Sequence, residues 1–371
     1  MAKNHPDFIL LLTIAVLVIW GAFTMATVSF PFSLEKFGGS WQYAKHQMIF
    51  GLLPGLILGF FAFITKIETI KKLSFLFFVL NLLLVILVFV PGLGAEINGA
   101  RRWLKLGNIM FQPSEFLKIS FVLYISAWLS NRFKTAKTAE KKQAAIVFVA
   151  ATLALTAILS AQRDLSTLII IFLIGFLVYF LSSTPWWHYF FLILAATGGV
   201  GLLVKLEPYR LNRVLTIFNQ HMDPLGNGYQ LTQSLISVGS GKIFGIGGFF
   251  GSGLGLSRQK FGFIPQPMTD SIFAVIGEEL GFMGGICLIS LFFTILWRGI
   301  NISLKTSDEF SRFLTLGLSF WLVIQAFFNI AGIIGILPLA GIPLPFFSYG
   351  SSHLIVESIA AGLLLNVSKK V

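Results

Sequence analysis

Apolar residues occur in long, nearly unbroken runs along this chain, and the polar residues collect between them. About 20 mostly apolar residues in succession suffice to cross a bilayer as a helix. Such runs fall roughly at 8–29, 47–65, 73–90, 113–130, 144–161, 164–181, 188–205, 270–297, 312–335 and 351–368. A backbone in lipid must satisfy its own hydrogen bonds, so these runs predict an all-α, polytopic membrane bundle of about ten transmembrane helices. Only "SAQRDLST" separates the fifth run from the sixth. The first run follows Lys3 in the manner of a secretory leader. It lacks a small-residue cleavage site, so an uncleaved first span is expected. A long extracytoplasmic loop, about 206–269, is expected between helices 7 and 8, and loops of that length are functional or disordered. Its "GNGYQLTQSLISV" segment has helical spacing and is expected along the membrane interface.

Composition agrees. Of 371 residues, 56% are hydrophobic and 11% charged, against about 25% charged in soluble domains. No stretch can form a separate soluble catalytic domain, so residues 1–371 read as one transmembrane domain. Cys287 is the single cysteine, which excludes a disulfide framework and a zinc cluster. With both termini cytoplasmic, roughly half of the 27 Lys and Arg residues fall inside. Many of the others lie in the long segments 91–112 and 206–269, which count little for topology. Both termini are therefore expected inside, and the chemistry at the outer side of the membrane. Nothing points to nucleic acid.

Charged residues within such a chain are candidates for chemistry, because intramembrane charge is costly and usually paired or functional. Glu115 and Lys118 share a helix face at i and i+3, as a structural ion pair or as a cavity wall. Asp164 beside Arg163, at an expected outer turn, is a similar case, and Glu357 is a further buried acid. Arg101, Arg102 and Lys105 surround Trp103 on the outer side, where they would anchor the chain or hold an anionic head group. Eight glycines lie within 239–255, and the stretch ends on Arg258 and Lys260. It is not a phosphate-binding P-loop, since Ile243 follows Gly241–Lys242. In "PQPMTDSIFAVIGEELGF", a helix can begin at Thr269 or Asp270. Glu278 would then lie about 80° round from Asp270 and about 12 Å deeper, with Glu279 opposite. The three acids cannot form one compact site, and Glu278 and Glu279 read as buried network residues. Asp270 reads either as a helix cap or as a general base open to the outer aqueous face.

In order, "GARRWL", "FQPSEFLK", "DLST", "GNGYQLTQSLISVGSG", "SRQKFGFIPQPMTDSIFAVIGEELGF" and "GILPLAGIPLPFFSYGSS" resemble the SEDS family (FtsW, RodA, SpoVE) over nearly the whole chain. The "SRQK" and "TDSIFAVIGEELG" wording is nearer to FtsW than to RodA. The resemblance implies a ten-helix peptidoglycan glycosyltransferase of the cytoplasmic membrane. It would polymerise lipid II, the undecaprenyl-pyrophosphate-linked disaccharide-pentapeptide, on the outer face. Its partners would be a class B penicillin-binding transpeptidase and other division or elongation membrane proteins, with the division septum the expected location. The family's essential aspartate falls on Asp270. Its Q-P-S-E-x-x-K acid and base fall on Glu115 and Lys118, beside a central cavity. Arg101, Arg102, Arg258 and Lys260 are then candidates to hold the pyrophosphate. No cofactor is named, and a divalent cation is left open. Departures are Ser271 for an aromatic residue, "QRDLST" for Q-P-D-L-G-T, a longer glycine loop, and "SYGSSHL" where a further glycine is common. A lipid II transporter using Glu115 and Glu357, and a non-catalytic scaffold, are the rival readings.

Overall fold

The computed structural model describes residues 5–97, 99–107, 109–133, 152–181, 226–248 and 255–371, with isolated positions between 198 and 223. The helices are α1 (Phe8–Phe37), α2 (Gln42–Ile64), α3 (Ile67–Leu87), α4 (Pro113–Phe133), α5 (Thr152–Ala161), α6 (Leu165–Phe180), α7 (Asn227–Ser240), α8 (Ile272–Lys305), α9 (Glu309–Ile333) and α10 (Ser351–Ser368). Among the described residues, α1, α2, α3, α8, α9 and α10 are long and apolar enough to cross a membrane. The expected span at 351–368 matches α10, and the expected first span runs on to Phe37 through Pro31. The run at 188–205 lies almost wholly outside the described residues, as does the first part of 144–161.

The ends of the helices follow ordinary capping chemistry. Asp7 accepts from the Leu10 N–H at 2.9 Å, and Asp308 accepts from the Ser311 N–H at 3.0 Å. Asp164 caps α6 and also accepts from the hydroxyls of Ser114 and Thr167, at 2.9 and 3.0 Å. The "DLST" motif thus builds a helix start and ties it to α4.

Helices α9 and α10 form the buried centre. Helix α9 packs against α4, α6 and α8, while α10 packs chiefly against α2. The α2–α10 contact is close because its facing residues are small. A Cβ on Gly55 would meet Ser358 Oγ at 2.8 Å, and one on Gly362 would meet Gly59 O at 2.1 Å. Small residues four apart admit this approach in lipid, where packing rather than hydrophobic exclusion holds helices together. On the other side of α2, Leu53, Leu56, Phe60 and Phe61 remain exposed, as suits lipid contact.

One addition to the expected all-α bundle is a small antiparallel sheet in order β1–β2–β3, formed by Gly94–Ile97, Ala100–Leu106 and Ile109–Phe111. "ARRWLKL" alternates with period two. Leu104 is buried, whereas Arg101 and Lys105 are exposed. Arg101 and Arg102 therefore point to opposite faces.

Helix α7 is present where its spacing predicts, with its small face buried against α8. Ser237 Oγ donates to Ala274 O at 3.0 Å, and a Cβ on Gly241 would meet Gly277 O at 1.9 Å. Helix α8 is broken at Gly281, whose φ of 66° and ψ of −163° lie outside helical space. The turn after α7 fills the break. Phe282 N–H donates to Lys242 O at 2.9 Å, Met283 N–H to Ile243 O at 3.0 Å, and Ile246 N–H to Glu278 O at 3.1 Å.

Candidate active site

Helix α8 begins at Ile272 with Ser271 as its N-cap residue, beyond the Thr269 or Asp270 that the sequence suggests. This corrects the reading of Asp270 as a cap. Asp7, Asp164 and Asp308 each accept a backbone N–H at a helix start, and Asp223 accepts from the Asn227 N–H at 2.7 Å. Asp270 does none of this. Among the described residues, no hydrogen bond reaches its carboxylate, while the backbone around it is pinned tightly. Asn329 Nδ2 donates to Asp270 O at 2.9 Å and to Ile342 O at 2.7 Å. Ser348 Oγ donates to Thr269 O at 2.6 Å, and Tyr349 N–H donates to Met268 O at 2.7 Å. The segment joining α9 to α10 thus walls the aspartate on one side. Gly341, at φ 64°, brings bare backbone against it, and a Cβ there would lie 3.5 Å from Asp270 Oδ2.

Asp270 lies outside the helical span at its mouth and keeps partial exposure. Burial in the surrounding protein pushes its carboxyl up to about 6, against the opposing pull of Arg213 and then Arg102. A carboxylate raised toward neutrality, with no hydrogen bond from the described residues and two guanidinium groups within electrostatic reach, is equipped to accept a proton.

The expected cations separate in space. Arg102 Nε donates to Gln162 O at 3.4 Å and its Nη2 to Arg163 O, which aims the guanidinium along the α5–α6 turn within electrostatic reach of Asp270. Arg101 lies on the other face of the sheet in an exposed pair with Glu96 at 3.1 Å. Arg258 has an exposed side chain, and its backbone N–H donates to Glu278 Oε1 at 3.0 Å. Lys260 turns inward. It is 2% exposed, 3.1 Å from Glu279 Oε1, and donates to Gly255 O at 2.7 Å, so Glu279 rather than a surface ligand engages its charge. Glu278 and Glu279 are the buried network residues expected. Glu278 also accepts from the hydroxyls of Ser237 and Ser257.

Sequence reasoning missed Arg213, whose Nη1 donates to Leu339 O at 3.1 Å, as well as Asn329 and Gln325. Arg213 lies in the long connection with no spacing that ties it to Asp270. Asn329 and Gln325 look like ordinary polar residues within an apolar run.

Glu115 and Lys118 form the expected pair, 2.7 Å apart and buried in α4. Lys118 Nζ also donates to Gln325 Oε1 at 2.9 Å and lies over the Trp321 ring. Removing one partner of a buried pair strands the other at a cost of about 3–5 kcal/mol. Lys118→Met is expected to lower the yield of folded protein, and adding Glu115→Gln should restore part of it. Size-exclusion yield of the single and double variants checks this; a double variant no better than the worse single contradicts the pairing. Among the described residues, no three His, Cys, Asp or Glu side chains group as a metal site.

These long apolar helices and the buried polar networks between them are those of a polytopic membrane protein. The chain belongs to the cell cycle protein family of FtsW, RodA and SpoVE, which it matches over residues 8–371. It is 36% identical to stage V sporulation protein E of Bacillus subtilis, over 99% of this chain and 98% of that one. It is 32% identical to a probable peptidoglycan glycosyltransferase FtsW of a Geobacter species, over 98% and 97%. Among solved structures, it resembles a chain of a peptidoglycan synthase complex that coordinates polymerisation and crosslinking. That match has a TM-score of 0.76 at 28% identity, over 98% of this chain and 97% of that one. A mutant of the Thermus thermophilus rod shape determining protein RodA aligns at TM-score 0.70 and 25% identity, over 98% and 97%.

Proposed function

We propose that this chain is a peptidoglycan glycosyltransferase that polymerises lipid II, with Asp270 as its general base. The observation that carries the reading is the state of Asp270: its backbone is fixed by Asn329, its carboxylate caps no helix, and Arg213 and Arg102 are nearby. The 4-hydroxyl oxygen of the acceptor sugar attacks the anomeric carbon of the donor. As the C–O bond forms, Asp270 takes the hydroxyl proton. The bond from the anomeric carbon to the pyrophosphate breaks, and undecaprenyl pyrophosphate leaves with the electron pair. Its negative charge is stabilised by the guanidinium groups, for which Arg102 and Arg213 beside Asp270 and the exposed Arg258 are the candidates. A single base and direct displacement invert the donor α-linkage to β.

The names of the relatives and the synthase complex support this reading. We further place the enzyme in the cytoplasmic membrane with both termini inside. It would work with a class B penicillin-binding transpeptidase and other division or elongation membrane proteins, at the septum by its likeness to FtsW.

The rate of glycan synthesis against pH tests the assignment. A base must be deprotonated to act, and the raised value of Asp270 puts the loss of activity where pH falls through about 6. Initial rates at limiting lipid II, measured with the partner transpeptidase present, should be flat above that value and fall about tenfold per pH unit below it. A rate that stays flat down to the ordinary carboxylate range contradicts the assignment.

A further inference from the structure

Beneath the mouth, the amide of Gln325 uses every hydrogen-bonding position it has. Its Oε1 accepts from Lys118 Nζ and from Trp321 Nε1, both at 2.9 Å. Its Nε2 donates to Pro343 O at 3.1 Å and to Glu357 Oε1 at 3.2 Å. Gln325 and Glu357 are fully buried. An amide carries two donor and two acceptor positions, so its orientation here is fixed by its neighbours.

Glu357 passes the contact onward. Its Oε2 accepts from the Phe346 N–H at 2.8 Å. Phe346 has a φ of 66°, a conformation that is strained for a bulky L-residue and persists only where its surroundings impose it. The strained turn at Phe346 leads directly into Ser348 and Tyr349. Those two residues hold Thr269 O and Met268 O, immediately before Asp270. Hydrogen bonds from Lys118 to Phe346, the short backbone from Phe346 to Tyr349, and the bonds of Ser348 and Tyr349 therefore join the Glu115–Lys118 pair to the backbone that presents the aspartate.

We infer that Gln325 and Glu357 are positioning residues: by fixing the left-handed turn at Phe346, they set the 343–349 segment that holds Asp270 at the reacting centre. This rests on Asp270 acting as proposed above. It goes beyond that reading by giving the buried polar cluster a role in the reaction at a distance, through the loop rather than through substrate.

The test is an exchange of the two side chains. Gln325→Glu replaces the Nε2 donor with an acceptor, so it faces Pro343 O and Glu357 with nothing to donate. Glu357→Gln alone sets an amide donor against the donor of Gln325. The double variant Gln325→Glu with Glu357→Gln keeps the net charge of the cluster and rebuilds the contact with donor and acceptor reversed; only the bond to Pro343 O is lost. Each protein is purified in full length with its partner transpeptidase. Two quantities are read: hydrogen exchange of the peptide spanning 343–350, and polymerisation of lipid II across concentrations.

Misplacing a catalytic group by about 1 Å can cost on the order of 100-fold, so Gln325→Glu is expected to lower kcat by at least about tenfold with KM for lipid II little changed. Exchange at the Phe346 and Tyr349 amides should quicken. Glu357→Gln should show a smaller change in the same direction. The double variant should recover both readouts beyond Gln325→Glu, because contacting residues couple non-additively. If Gln325→Glu does not fold, Glu357→Gln and the double variant still decide the matter. Unchanged exchange in a folded single variant overturns the inference. So does quickened exchange with kcat intact, or a double variant whose losses are merely additive. Asp270→Asn, assayed beside them, separates the two ideas. If it polymerises, the base assignment fails whatever the loop does; if it is inactive while the swap rescues nothing, the positioning fails alone.

Discussion

Gly281→Ala is expected to destabilise the fold strongly. The residue adopts φ 66° and ψ −163°, a region essentially restricted to glycine. A Cβ there would meet Gly245 N at 2.4 Å, Gly241 O at 2.6 Å and Ile243 C at 2.7 Å. All three are backbone atoms of the turn that fills the α8 break, so no side-chain rotation relieves the contact. The Lys242 and Ile243 carbonyls of the same turn accept from the Phe282 and Met283 N–H groups and so satisfy the interrupted helix. Strain and overpacking together suggest a loss of about 2–5 kcal/mol. Gly239→Ala serves as the control, since Gly239 lies in α7 with nothing within 4 Å of an added Cβ. Thermal unfolding in one detergent compares them. A Gly281→Ala protein as stable as Gly239→Ala contradicts the account of the break. The same variant should loosen the 255–260 loop, because Glu278 and Glu279, just before the break, collect its Ser257, Arg258 and Lys260 groups.

Much of this molecule is legible in its sequence because lipid leaves few choices. Long apolar runs must become helices, and the α10 run gives even its ends correctly. The pairing of Glu115 with Lys118 follows from helix geometry alone, since i and i+3 share a face. Asp270 is legible as an acid at the mouth of a span. What escapes the sequence depends on tertiary placement. Glycines and two acids lie near Gly281 in the sequence, yet none of them announces the break; the cause is a turn that arrives from α7. Lys260 reads as a surface cation, and only the fold reveals Glu279 buried beside it. The alternation in "ARRWLKL" is visible in the sequence, yet without the sheet it does not say which arginine faces Asp270. Arg213 and Asn329 reach the aspartate only through the fold, from 57 residues before it and 59 after.

The second large effect concerns Asp270 itself. Asp270→Asn changes neither the size nor the shape of the side chain. The Asp270 carboxylate caps no helix and accepts no hydrogen bond from the described residues, while the Asn329 contact is made to the backbone carbonyl, which the substitution leaves in place. Its effect on folding should therefore be small, since neither a cap nor a hydrogen bond from the described residues is removed. What is lost is the ability to take a proton, and general-base catalysis is worth about 100- to 10,000-fold.

The decisive measurement is the glycan polymer formed from lipid II by purified Asp270→Asn protein in complex with its transpeptidase, alongside thermal unfolding of the same sample. The account predicts an unfolding midpoint near that of the unmodified protein and no detectable polymer. Substantial polymer from a normally folded Asp270→Asn protein would contradict it.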